Sequence, residues 1–280
     1  MAGHLGVGRI VAEGSQEQGG HARNHTGQLS NVMKVLVILP PSETKSDGGS
    51  GAPLDLDALS FPALNENRKL IGDAIVTLAA DLDASRKALG LGQSQLAEVD
   101  RNADLWLSPT RTAITRYTGV LYDALDYSGL TRASKTKAGD RLAIGSALFG
   151  VVRARDLIPA YRLSGGSKLP GMGTLGAVWK PVLSSELDAV DDFLVDLRSG
   201  SYQQLGPVKR AVTATVVSEA PDGSRKVVSH FNKHYKGLIA RDLVNTRRNV
   251  KDINALAAVL SDAGQHVEID GPTSITVVTG

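Results

Sequence analysis

A chain of 280 residues can form one large domain or two ordinary ones, and its 42% apolar and 21% charged residues are ordinary for a globular protein. The absence of cysteine excludes disulfides, thiolate chemistry and cysteine-ligated metal centres, and it fits a reducing cytoplasm. No apolar run approaches the roughly 20 residues of a membrane helix, and a net charge of +2 is too small to imply nucleic acid by itself.

Residues 1–32 are rich in Gly, Gln, Asn and His and lack a sustained apolar period. They read as a disordered extension, and the fold is expected from Met33 onward. His21 and His25 are four apart, but without fixed geometry that spacing makes no metal site. Val35 to Leu39 reads as a buried strand, followed by the turn-rich loop PPSETKSDGGSGAP. Leu64 to Leu82 has helical spacing, and a shorter helical piece follows. LGLGQSQLAEV at 89–99 places a Gly-x-Gly turn between helical pieces, loosely similar to a helix-hairpin-helix; a plain helix–helix turn is the simpler reading. Thr110 to Leu125 reads as a helix carrying Tyr117 and Tyr122, Arg141 to Ile144 as a short strand, and Ala147 to Val152 as the start of a helix. Trp179 to Leu197 has a helical period that ends in a strand at FLVDL. Two alternating β-branched runs flank Pro221-Asp222-Gly223, which is hairpin chemistry. Helices at Tyr235–Val244 and Ile253–Leu260 and strands at Val267–Ile269 and Ile275–Val278 complete the chain. The expected class is mixed α/β (α+β): a single domain over 33–280, with a mixed sheet flanked by helices rather than a uniform Rossmann sheet.

Three segments carry candidate chemistry. In PPSETK at 40–45, Lys45 can bind an anion, or act as a base if burial lowers its pKa; Glu43 can pair with it or move a proton. The competing reading is a solvated loop in which Ser42 and Thr44 cap backbone groups. In SALFGVVRARDLIPAYRLSGGSKL at 146–169, Arg153, Arg155, Arg162 and Lys168 stand among apolar residues and glycines, with Asp156 as the nearby carboxylate. Guanidinium forks and the Gly165-Gly166 backbone suit a phosphate or carboxylate, and pairing with Asp156 to pin a loop is the alternative. From Arg225 to Lys251 there are eight Lys/Arg and one acidic residue, with Lys233, Lys236 and Arg241 placed around an expected helix start. His230 and His234 are spaced i, i+4, but two ligands do not make a metal site. Tyr122, Tyr161 and Tyr202 can stack on a base or sit in the core.

From Met33 onward the chain resembles the peroxide-stress YaaA family. The resemblance rests on PPSETK, YTGVLYDALDY at 117–127, GSALFGVVRARDLIPAYRLSGG at 145–166, Trp179, DLRSGSY at 196–202 and KHYKGLIARDLV at 233–244. It implies a cytoplasmic protein with a mixed α/β fold and a cationic cleft. It further implies a role in limiting free iron and peroxide damage, with DNA binding through a helix-hairpin-helix. By motif position the cleft would hold Lys45, Arg153, Tyr161, Arg162, Lys236 and Arg241. Lys45, Tyr161 and Lys236 are the catalytic candidates. Lys45, Arg153, Arg155, Arg162, Lys168, Lys233, Lys236 and Arg241 are the anion- or nucleic-acid-binding candidates. No metal, cofactor or membrane partner is expected; the partner is DNA or, in the alternative of an enzyme acting on a nucleotide or another small anion, that metabolite.

Overall fold

A computed structural model describes residues 34–228 and 231–279. The expectations for the 1–32 extension, for His21 and His25 and for His230 lie outside those residues.

In chain order the described residues begin with β1 (Val35–Leu39), every residue of which is buried. Helices α1 (Asn65–Ala79), α2 (Leu82–Leu89) and α3 (Ala97–Ala103) follow. The Asp81 carboxylate caps α2 by accepting from the Ala84 amide, and Gly90 ends it in the left-handed region. Next come β2 (Arg111–Thr112), α4 (Ala113–Arg116), α5 (Val120–Leu125) and α6 (Arg132–Arg141). The middle of the chain supplies β3 (Leu142–Ser146), β4 (Gly150–Arg153), β5 (Leu157–Ile158), α7 (Leu175–Asp188), β6 (Phe193–Asp196) and α8 (Gly200–Gln203). The last part holds β7 (Val212–Glu219), β8 (Arg225–Val227), α9 (Asn232–Asn245), α10 (Ile253–Asp262), β9 (His266–Gly271) and β10 (Ser274–Thr279).

Among the described residues these strands form an eight-stranded mixed sheet in the order β4-β3-β1-β6-β7-β10-β9, with β8 paired to β7. The inner five run parallel, in register at Val37–Leu142, Val35–Phe193, Val195–Val212 and Ile275–Ala214. The edges β4 and β9 and the hairpin strand β8 are antiparallel. The fold is therefore the mixed α/β class the sequence implies. Because β1, β3 and β6 are parallel, Leu39, Ser146 and Asp196 all lie at the carboxyl end of the sheet's inner strands, where loops gather. Helix α9 packs on α5, β1 and β7. Its approach to α5 requires Gly237, since a Cβ there would stand 2.2 Å from the Leu121 carbonyl oxygen.

Two expected elements are corrected. Thr110 to Leu125 is not one helix. Its start pairs with β5, Tyr117 is extended, and Gly119 at φ 99° separates α4 from α5. Tertiary demand overrides the local pattern here: the Arg116 guanidinium is buried and donates to the carbonyls of Ile158, Ser46 and Pro109. Ala147 to Val152 does not start a helix either. The Ser146 hydroxyl accepts from the Leu148 and Phe149 amides, and Gly150 at φ 70° turns the chain back into β4. The polar helix α6 was invisible to periodicity because it buries only Ser134 and Ala138.

Candidate functional site

Pro40 and Pro41 lack backbone donors and end β1, so the loop leaves the sheet at once. The Tyr122 hydroxyl donates to the Pro40 carbonyl at 2.9 Å. The Ser42 hydroxyl donates to the Thr44 carbonyl and accepts the Thr118 amide, which pins the loop to the start of α5. Lys45 turns back inside this loop. Its Nζ donates to the carbonyls of Ser42 (3.2 Å) and Glu43 (3.3 Å) and lies 4.3 Å from the centre of the Tyr161 ring and 5.4 Å from that of Tyr117. Burial, opposed by Glu98 and aided by Arg162, lowers the Lys45 pKa to about 7. Behind it the Tyr161 hydroxyl bonds to those of Tyr117 (2.8 Å) and Ser146 (2.7 Å), and burial pushes both phenols up, so they stay neutral.

Glu43 does not pair with Lys45. It accepts from Arg162 Nη2 at 2.9 Å. Arg162 is held by Asn102, which accepts from its amide and donates to its carbonyl. The chain then turns through Ser164 to Ser167, where the Gly165 amide donates to the Tyr202 hydroxyl at 3.1 Å.

At the end of β6, Arg198 folds back on Asp196. Nε donates to Oδ1 at 2.9 Å and Nη2 to Oδ2 at 2.8 Å, and the guanidinium also donates to the carbonyls of Tyr202 and Gly206. Both side chains are almost wholly buried. The pair lies against Gly145, where a Cβ would come within 2.7 Å of Arg198 Cδ. From α9, Lys236 Nζ donates to the Arg198 carbonyl at 3.4 Å. Burial lowers the Lys236 pKa, and Asp196 acts against that shift.

These pieces surround a cleft of about 780 Å³ at the carboxyl ends of β1 and β6, over the first residues of β7. Its wall includes Ser42, Glu43, Gly166, the Asp196–Arg198 pair, Lys233 and Lys236. Arg198 and Arg162 are neutralised by their carboxylates. Lys233 and Lys236 form no ion pair among the described residues, so two ammonium groups face the cleft uncompensated. An arrangement of this kind can hold a small anion.

The structure separates the sequence candidates. Lys233 and Lys236 line the cleft. Lys45, Tyr161 and Arg162 are buried beside it and are not on its wall. Lys168 borders a shallow depression of about 270 Å³ with Lys87 and Gly90, which also meets Ser164 and Gly166. Arg153 and Arg155 lie at the opposite end of the sheet. Arg153 donates to the Asp140 carbonyl and stands 4.0 Å from Asp192, and Arg155 pairs with Asp140. Arg241 is in the second half of α9 rather than at its start, and it pairs with Asp126 at 2.9 Å. Asp196, Arg198 and Asn102 were not among the sequence candidates. DLRSGSY carried a signal for the first two, because residues two apart at a strand end can share one side. Asn102 carried none. Among the described residues no group of three or more His, Asp or Glu side chains could hold a metal ion, and no helix is long and apolar enough to cross a membrane.

A family model described as peroxide stress protein YaaA matches residues 35–267. The chain is 51% identical over 240 residues to a UPF0246 protein of Corynebacterium efficiens, covering 84% of this chain and 96% of that one. It is 43% identical over 245 residues to one of Streptomyces coelicolor, covering 85% and 94%. It is 30% identical over 238 residues to one of Shewanella piezotolerans, covering 79% and 90%.

Proposed function

Because the chain belongs to the peroxide stress protein YaaA family, we propose that it serves the peroxide stress response by binding a small anionic metabolite in the cleft at the carboxyl ends of β1 and β6. The observation that carries this reading is the pair Lys233 and Lys236, which border a concave wall and form no ion pair with a carboxylate among the described residues. Of the arginines that the sequence offered for a broader face, Arg155 is tied to Asp140 and Arg241 to Asp126. A polymer-binding face needs cations distributed over a wide surface, whereas a small ligand needs them gathered. The test is a thermal-shift panel of small anions against the wild type and Lys236→Met. The reading expects one class of anion to raise the melting temperature of the wild type and not of the variant. No shift with any anion would end it.

A second reading, peroxide protection through DNA, draws on the depression beside Gly90, where Lys87 and Lys168 are both exposed. Against it, the amides of Gly90, Leu91 and Gly92 are already donated, the first two to the Arg86 carbonyl and the third to Gln95 Oε1. A helix-hairpin-helix would present such amides to a phosphate. If DNA binds there, affinity falls by roughly 10³ or more between low and moderate salt, and Lys168→Glu abolishes it. Limitation of free iron, in either reading, is assigned no direct iron site in the described fold, because the acidic and histidine side chains there are not grouped for one.

A further inference from the structure

The cleft has a neighbour. A second hollow of about 280 Å³ adjoins it, and Pro40 to Glu43 and Lys233 border both. The two hollows differ in chemistry. The larger gathers Lys236, Arg198 and the hydroxyls of Ser199 and Ser201. The smaller is walled by Pro40, Pro41, Val120, Leu121 and Tyr122, with the hydroxyls of Thr44 and Thr118, themselves hydrogen-bonded at 3.1 Å, at one side. Val120 is 48% exposed although apolar, and it faces this hollow. An inorganic ion would leave the smaller hollow empty.

Charge sets the head group. With Asp196–Arg198 and Glu43–Arg162 internally neutral, Lys233 and Lys236 leave two positive charges in the larger hollow, which a phosphate monoester dianion matches. The apolar wall of the smaller hollow narrows the rest of the ligand: Pro40, Pro41, Val120 and Leu121 suit an uncharged, flat group better than a second charge.

We propose that the ligand is a nucleoside monophosphate: its phosphate sits between Lys233 and Lys236, and its uncharged base lies in the hollow formed by Pro40, Pro41, Val120 and Tyr122. Lys233, bordering both hollows, places the phosphate at their junction. This inference rests on the small-anion reading above and adds the identity of the ligand's body.

The experiment compares calorimetric titrations of inorganic phosphate, ribose 5-phosphate and adenosine 5′-monophosphate into the wild type and Val120→Trp. In the wild type adenosine monophosphate is expected to bind about threefold or more tighter than ribose phosphate or phosphate. Val120→Trp fills the smaller hollow at an exposed position. It is expected to bring adenosine monophosphate down to ribose phosphate while leaving phosphate binding intact. If phosphate binds and the nucleotide binds no tighter, the base assignment is wrong while the anion site stands. If Val120→Trp binds the nucleotide as tightly as the wild type, the base does not lie there. If none of the three ligands binds the folded wild type, the small-anion reading falls together with this one.

Discussion

The two ends of the central sheet handle charge in opposite ways. At the end where β1 and β6 begin, every sequence-predicted cation meets a carbonyl or carboxylate: Arg153 reaches Asp140 and Asp192, and Arg155 pairs with Asp140. Asp156 completes that cluster by accepting from the amides of Arg153 and Ser60. At the end where the same strands finish, two arginines are paired, but Lys233 and Lys236 are left over and Lys45 is buried with carbonyls and aromatic rings for company. Cations that stabilise are satisfied by their own chain. Lys236 is buried with a carbonyl but no carboxylate among the described residues, which costs free energy, whereas Lys233 is exposed and solvated.

The contrast can be broken by substitution. The largest effect is expected from Arg198→Ala, which leaves Asp196 buried and unpaired and removes bonds to two carbonyls. It should cost about 3–5 kcal/mol in urea unfolding, and a loss below about 1 kcal/mol would show that the pair is solvated rather than buried.

Lys45 comes next, and its effect is read against pH. Its folded pKa is lowered, first by burial, to about 7 from an ordinary 10.5. Between those values the unfolded chain binds more protons than the folded one, so stability rises as pH is raised through that window. It falls as pH drops toward 7, below which the full penalty is present. The slope contributed is at most about 1.4 kcal/mol per pH unit. Lys45→Met should flatten the profile measured by chemical unfolding from pH 7 to 10, and an unchanged profile would place the amine in water.

At the opposite end of the sheet, Arg153→Ala should cost about 1 kcal/mol through its lost hydrogen bond and leave anion affinity unaltered. Smallest of all is the stability change for Lys233→Ala, within ~0.5 kcal/mol because the side chain is exposed, although anion affinity should drop tenfold. A variant at 153 that weakened anion binding as much as one at 233 would erase the distinction between the two ends.

How much of this was legible follows the same division. The apolar strands β1, β7 and β10, the Pro221-Asp222-Gly223 turn and the later helices were readable because burial imposes a period on the residues. The 110–125 stretch was not, since its shape is dictated by where Arg116 and Gly119 must stand in the finished fold. For the site, sequence identified the cationic segments but could not say which cations find carboxylates, because those partners are far away in the chain: Arg162 and Glu43 are 119 residues apart, and Arg241 and Asp126 115. The Asp196–Arg198 pair was local enough to see, yet DLRSGSY reads as a solvated turn until β6 is known to end beside Gly145.

The central claim is that the uncompensated ammonium groups beside β6 serve a small anion. The most direct measurement titrates adenosine 5′-monophosphate and a DNA duplex, in parallel and at two salt concentrations, into the wild type and Lys236→Met. The account predicts that the nucleotide binds the wild type, that the variant loses it while remaining folded and at least as stable, and that any DNA affinity is the same in both. Nucleotide binding absent from the wild type, with DNA binding that depends on Lys236, would contradict it.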